Sequence, residues 1–406
     1  MMEILELEAG KKNLSGIIEL DGSKSISNRV LLIKALSQKD FDIQNLSNSD
    51  DTQTFVRLLK QDTEELDAGA AGTTFRFLTA YFAFQKGTQI LTGSNRMKQR
   101  PIGILVDQLN RLGASISYLE KEGFPPLKIG EGTPNNTSEL QIPANISSQY
   151  ISALMMLAPT LPNGLNIELT GKIVSPSYLE LTLGILSDFG IKSQWEGNQI
   201  KIPPQNFQPL DYTIEADWSA ASYHYSLAAL ADSADIFLKG LYKNSLQGDS
   251  VIAEIMESFG VTTLFEKDGI RILKKEVKTP ARFDYDFINC PDIAQTLVVI
   301  CAAKGVPGTF SGLQTLAIKE TDRCQALADE LRPLGIEFTG DKKEGVFDLK
   351  GKIRFNGIPI FKTYHDHRMA MSLAPLSLLN KIKMEDPAVV SKSYPDFWKD
   401  LNKLIE

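Results

Sequence analysis

ILTGSNRMKQRPIGILVDQLNRLGASI, residues 90–116, starts as an apolar strand and breaks at Gly93. It then runs through a cationic loop into an amphipathic helix that closes on Leu112-Gly113 before another strand. The same succession recurs in IELTGKIVSPSYLELTLGILSDFGIKS (167–193), IFLKGLYKNSLQGDSVIAEIMESFGVTTL (236–264) and FSGLQTLAIKETDRCQALADELRPLGIEF (310–338). The closing glycines Gly113, Gly190, Gly260 and Gly335 are spaced by 77, 70 and 75 residues. So long a period does not belong to a solenoid. It fits a supersecondary unit in which a left-handed glycine ends each helix and lets the chain reverse. IQNLSNSDDTQTFVRLLK (43–60) reads as the opening of an earlier copy and IFKTYHDHRMAMSLAPLSLL (360–379) as the helix of a final one, giving about six units. The first copy is short, because only QDTEELDAGAAG (61–72) separates its helix from the next helical pattern. Its closing Leu-Gly and final strands are missing.

Composition narrows the class of protein. The 406 residues carry 43 Lys+Arg against 50 Asp+Glu, net −7, with 43% hydrophobic and 23% charged residues, an ordinary globular balance. This length predicts two or three domains, each with its own core. Cys290, Cys301 and Cys324 form neither a disulfide framework nor a metal-ligand pattern, which favours a reducing cytoplasm. No apolar run approaches the ~18 residues of a membrane span, and the start lacks the features of a secretion signal. The Asn-x-Ser/Thr sequences are therefore read as chance matches. The acidic balance argues against nucleic acid as a partner.

Several loops nonetheless gather groups that bind anions. Asp21-Gly22-Ser23-Lys24-Ser25-Ile26-Ser27-Asn28-Arg29 leads into an apolar helix, where outward-pointing N–H groups favour an anion. Ser25 and Arg29, four apart, share a face of its first turn. It is not a P-loop, since no glycine stands at the upstream position. In Lys319-Glu320-Thr321-Asp322-Arg323, two cations and a glutamate are expected to crowd one helix start, an arrangement suited to proton transfer, although a surface ion-pair ladder is the commoner fate of such charges. His365-Asp366-His367-Arg368, Ser147-Ser148-Gln149 and Arg96-Met97-Lys98-Gln99-Arg100 each precede a further helix. With His224 the only other histidine, a metal site is not expected.

Taken together, GSKSISNR, AGTTFR, RMKQRPIG, SSQY, KETDR and HDHRMAM, in this order along the repeats, resemble the 5-enolpyruvylshikimate-3-phosphate synthase family over nearly the whole chain. The resemblance implies an α/β fold, a two-domain inside-out α/β barrel built from about six βαβαββ-type repeats with the first truncated. One domain would be 21–216 and the other 1–20 plus 217–406, with the active site in the cleft between them. It also implies transfer of the enolpyruvyl group of phosphoenolpyruvate to the 5-hydroxyl of shikimate 3-phosphate, by addition and elimination with release of phosphate. No cofactor or metal is implied, and the enzyme is expected to be a cytoplasmic monomer.

Carried over by position, Asp292 resembles the carboxylate that takes the hydroxyl proton and Glu320 the group that protonates the methylene, with Lys24 beside them. Shikimate 3-phosphate would be held by Ser25, Arg29, Ser147, Ser148, Gln149, Ser175, Tyr178, Asp292 and Lys319. Phosphoenolpyruvate would be held by Lys24, Gly72, Arg100, Gln149, Arg323, Arg368 and Lys392. Glyphosate, which in this family occupies the phosphoenolpyruvate site beside the glycine matched by Gly72, is expected to inhibit. The chain departs from the family pattern at Ala70, Phe77, Thr315, Ala317 and Pro333. UDP-N-acetylglucosamine enolpyruvyl transferases share the donor but use a loop cysteine, and no cysteine precedes Cys290 here. RNA 3'-terminal phosphate cyclases, built on related repeats, do not suit the acidic balance. A non-catalytic anion-binding relative would be expected to have lost Asp292 or Glu320.

Overall fold

The computed structural model describes residues 3–145 and 147–406. The repeat is complete in residues 65–130. Strand Glu65–Asp67 leads to helix Gly72–Phe82 and then to strand Gln89–Thr92, which runs parallel to the first strand. Helix Gly103–Arg111 follows, then the antiparallel pair Ser115–Tyr118 and Leu127–Gly130, whose second member inserts beside Gln89–Thr92. The same pairing recurs in the sheets built from 139–202 and from 285–350. It recurs again where Asn13–Glu19 pairs with Ser233–Lys239 and the hairpin Val261–Glu266, Gly269–Lys274 completes the sheet.

The two remaining copies are incomplete in different ways. Among the described residues Ile43–Gln44 pairs only with Tyr212–Thr213, and no hairpin follows helix Asp50–Lys60, so the shortened first copy expected from the sequence is present. In the last copy Ile360–Phe361 and Ile382–Glu385 lie parallel, and Ile4–Leu7 from the start of the chain takes the third position. The four closing glycines have φ of 103°, 76°, 81° and 84°. A side chain at Gly113 would also collide with the Thr133 carbonyl oxygen.

The chain forms two units, Ser23–Ile214 and Met1–Gly22 with Glu215–Glu406. These divisions lie two residues inside the expected 20/21 and 216/217. Gly22 bridges Ala216, and Asp217 N–H donates to the Asp21 carbonyl at 3.1 Å, which binds both crossings to the second unit.

Within each unit the helices lie inside and the sheets outside. In Ser23–Ile214 the helices Lys24–Ser37, Gly72–Phe82 and Ser148–Leu157 pack on one another. In the other unit Trp218–Leu230, Ala294–Lys304 and His367–Leu373 do so. These helices are apolar nearly all round: every residue of Trp218–Leu230 except Ser219 is buried. The strands instead alternate buried and more exposed positions, as in Leu165–Thr170, and so cover the helices with one face. Because the first helix of each repeat is largely buried, function falls to the loops that open the helices.

Candidate active site

In Ser23–Ile214 the opening of the first helix places Lys24 Nζ 3.6 Å from Asp51 Oδ2, itself at the start of the next helix. Arg29 lies one turn deeper and is enclosed. Its Nε donates to Thr182 Oγ1 at 2.8 Å, its Nη1 to the Ser25 carbonyl at 2.9 Å, and its Nη2 to Ser152 Oγ at 3.1 Å and the Tyr178 carbonyl at 3.3 Å. Burial pushes this guanidinium down to about 10, an effect the Tyr178 hydroxyl opposes. Nothing in its spacing marks Arg29 as buried among neutral partners, because most arginines near a helix start are solvated.

Gly72 opens its helix against two guanidinium groups. A methyl there would overlap Arg100 and come within 2.8 Å of Arg76 Nη1. Arg76 Nη1 donates to the Gly72 carbonyl at 2.8 Å. Gln149 Nε2 donates to Thr73 Oγ1 at 2.9 Å, joining the starts of two helices. Gln149 Oε1, Arg100 Nε and Ser23 Oγ are buried with no hydrogen-bond partner among the described residues, which leaves polar atoms for a ligand to satisfy. Ser147 and Ser175 stand at the N-cap positions of their helices, yet neither hydroxyl caps an N–H. Ser175 is held at φ 54°, ψ 51°, a left-handed conformation that non-glycine residues adopt at a cost.

The second unit gathers charges of both signs. Arg323 is 1% exposed. Its Nε donates to Asp366 Oδ2 at 2.7 Å, its Nη1 to Asp292 Oδ1 at 3.2 Å and its Nη2 to Glu320 Oε2 at 3.0 Å. Arg368 Nη2 donates to Asp292 Oδ2 at 2.9 Å, so Asp292 is clasped by two arginines, with Lys319 Nζ 4.0 Å away. Lys392 Nζ lies 2.9 Å from Glu320 Oε1. Burial lowers the Lys319 ammonium although Asp292 opposes it. Tyr364 and His365, both at φ 55°, turn the chain into Asp366, whose carboxylate caps the Arg368 N–H at 2.9 Å.

Two features correct the sequence reading. The helix begins at Arg323, capped by Asp322, so Lys319 and Glu320 lie in the preceding loop and reach their partners from there rather than along one helical face. Behind Arg368 stand groups the sequence reading passed over. Arg368 Nη1 donates to Tyr223 Oη and Nη2 to Ser219 Oγ, both at 3.3 Å, and Ser219 Oγ bonds Asp249. Burial and the charge of Asp292 push Asp249 up to about 7, against Arg368 and Ser219. The register of the repeat was the available signal: Asp51, Ser219 and Asp249 all stand at helix starts, as Lys24, Asp292 and Arg323 do. Thr315, at a departure from the family pattern, is buried with no hydroxyl partner among the described residues.

Comparison with known proteins adds an independent finding. Residues 9–61 and 60–401 match the family described as EPSP synthase (3-phosphoshikimate 1-carboxyvinyltransferase). A 3-phosphoshikimate 1-carboxyvinyltransferase from Bacteroides fragilis is 48% identical over 400 residues, 98% of this chain and 97% of the relative. One from Haemophilus influenzae is 35% identical over 437 residues, covering 96% of each. The solved EPSP synthase from Acinetobacter baumannii superposes with a TM-score of 0.79 over 100% of this chain and 98% of that one, at 21% identity.

Proposed function

The chain belongs to the EPSP synthase family, and from that premise we propose which of its side chains carry the reaction. It is an enzyme of aromatic amino acid biosynthesis that transfers the enolpyruvyl group of phosphoenolpyruvate to the 5-hydroxyl of shikimate 3-phosphate, releasing phosphate. In our reading Asp292 takes the proton of the 5-hydroxyl as that oxygen attacks C2 of the donor, and Glu320 delivers a proton to the C3 methylene. The tetrahedral adduct then loses a C3 proton and phosphate, which restores the enol double bond. Lys24, Gly72, Arg100, Gln149, Arg323, Arg368 and Lys392 hold the donor. Ser25, Arg29, Ser147, Ser148, Gln149, Ser175, Tyr178 and Lys319 hold the acceptor, with Asp292 at its hydroxyl. No metal or cofactor takes part.

The observation that carries this reading is the clasp on Asp292 and Glu320. Both carboxylates are fixed by Arg323, and each has a second cation, Arg368 or Lys392. Phosphate and carboxylate groups of the donor can replace these internal anions, freeing the two acids for proton transfer while the cations keep a charged partner. The three cysteines are free thiols, which suits a cytoplasmic enzyme, and a single chain carrying both sets of ligands suits a monomer.

Asp292→Asn and Glu320→Gln test the assignment. Each is expected to lower kcat by about 10²- to 10⁴-fold while changing the Michaelis constants far less, because proton transfer acts in the transition state. Steady-state kinetics showing unchanged turnover in both variants would remove the two acids from the mechanism.

A further inference from the structure

One buried hydrogen-bond chain in the second unit has no part in the assigned chemistry. His224 Nε2 lies 3.0 Å from Tyr394 Oη, and Tyr394 Oη donates to Asp400 Oδ2 at 2.8 Å. His224 is 0%, Tyr394 2% and Asp400 8% exposed. Tyr394 gives its proton to Asp400, so His224 must donate through Nε2, and burial pushes the imidazole down to about 3, keeping it neutral. The Tyr394 ring packs edge-on against Phe397, with centroids 5.6 Å apart, so its position is fixed by apolar contact as well.

The chain joins two elements that both reach the charged cluster. His224 lies on Trp218–Leu230, the helix whose first turns present Ser219 and Tyr223 to Arg368. Tyr394 follows Lys392 by two residues in the tight stretch after Pro387–Lys392, where the Ser393 and Tyr394 N–H groups both donate to the Val390 carbonyl. Lys392 in turn meets Glu320 at 2.9 Å. We propose that His224, Tyr394 and Asp400 are positioning residues that fix the Lys392 ammonium relative to Glu320 and Arg368. This inference rests on the assignment of Lys392 to the donor.

Removing the Tyr394 hydroxyl leaves the His224 N–H and the Asp400 carboxylate without their shared partner and releases the segment that aims Lys392. In the full-length enzyme, Tyr394→Phe is expected to raise the Michaelis constant for phosphoenolpyruvate about fivefold to tenfold, with kcat changed less and the constant for shikimate 3-phosphate within about twofold. His224→Leu should reproduce that pattern. His224→Gln, whose amide N–H can replace Nε2–H, should recover most of the donor affinity. Equal rises for both substrates would point to general loosening and overturn the proposal, as would an unchanged donor constant. Should Tyr394→Phe fail to fold, the Leu and Gln variants at 224 carry the comparison. Wild-type turnover, measured alongside, tests the assigned reaction separately: an inactive wild type would refute that reaction rather than the hydrogen-bond chain.

Discussion

Gly72 has a local consequence that its lack of a side chain makes testable. A methyl there would overlap the Arg100 guanidinium, the flexible end of a long side chain, so Gly72→Ala should fold but displace a cation proposed to hold the donor. Glyphosate, an anion longer than phosphoenolpyruvate, should tolerate this less than the substrate does. Its inhibition constant is therefore expected to rise much more than the phosphoenolpyruvate Michaelis constant, from a wild type that millimolar glyphosate inhibits. Parallel changes in both constants, or an indifferent wild type, would count against the placement of Gly72. Two buried titrating groups give stability opposite dependences on pH. The folded state keeps His224 neutral down to about 3, whereas the unfolded chain protonates it near 6.5, so its contribution is whole above 6.5 and shrinks as pH falls toward 3, by about 1.4 kcal/mol per unit. For Asp249 the folded state takes up the proton first, near 7, so its contribution is whole below 3.8 and is lost as pH rises through 7. Urea midpoints from pH 4 to 7 should show the gap between wild type and His224→Gln moving in wild type's favour as pH rises. The gap to Asp249→Asn should move the other way. Parallel curves would contradict both directions.

The helix starts are where fold and chemistry meet, and they also decide how much of each could be read in the sequence. The closing glycines gave away the repeat because a left-handed cap has one residue that adopts it without strain, and all four adopt it. The short first copy was legible because residues 61–72 leave no length for a hairpin. Asp51, Ser219 and Asp249 were not, since Asp and Ser are the residues any helix start favours and nothing in their own spacing separates a cap from a partner of Lys24 or Arg368. The loop position of Lys319 and Glu320 was hidden for a related reason: Asp322, a better N-cap than either, takes the start of the helix for itself. Ser175 holds the N-cap position of its helix in a left-handed conformation without capping an N–H. Glycine there would relieve about 1–2 kcal/mol of left-handed strain and lose about 0.5–1 kcal/mol to unfolded-state freedom. Ser175→Gly should therefore melt no lower than wild type while the shikimate 3-phosphate Michaelis constant rises about tenfold through loss of the hydroxyl. A lower melting temperature with unchanged kinetics would make Ser175 a structural residue only.

Over the whole chain, a net charge of −7 coexists with a proposed set of donor ligands that is mostly cationic, because the local field at a buried helix start outweighs the sum over a distant surface. Each unit builds its own helical core and its own set of candidate ligands, and the chain passes between units twice, at 22/23 and 214/215. In the proposed reaction the donor loses its phosphate only when the acceptor is present to attack. Phosphate released from phosphoenolpyruvate, measured with and without shikimate 3-phosphate, tests it most directly. Release should depend on shikimate 3-phosphate and match the enol ether product mole for mole; release that shikimate 3-phosphate does not stimulate would contradict the assigned reaction.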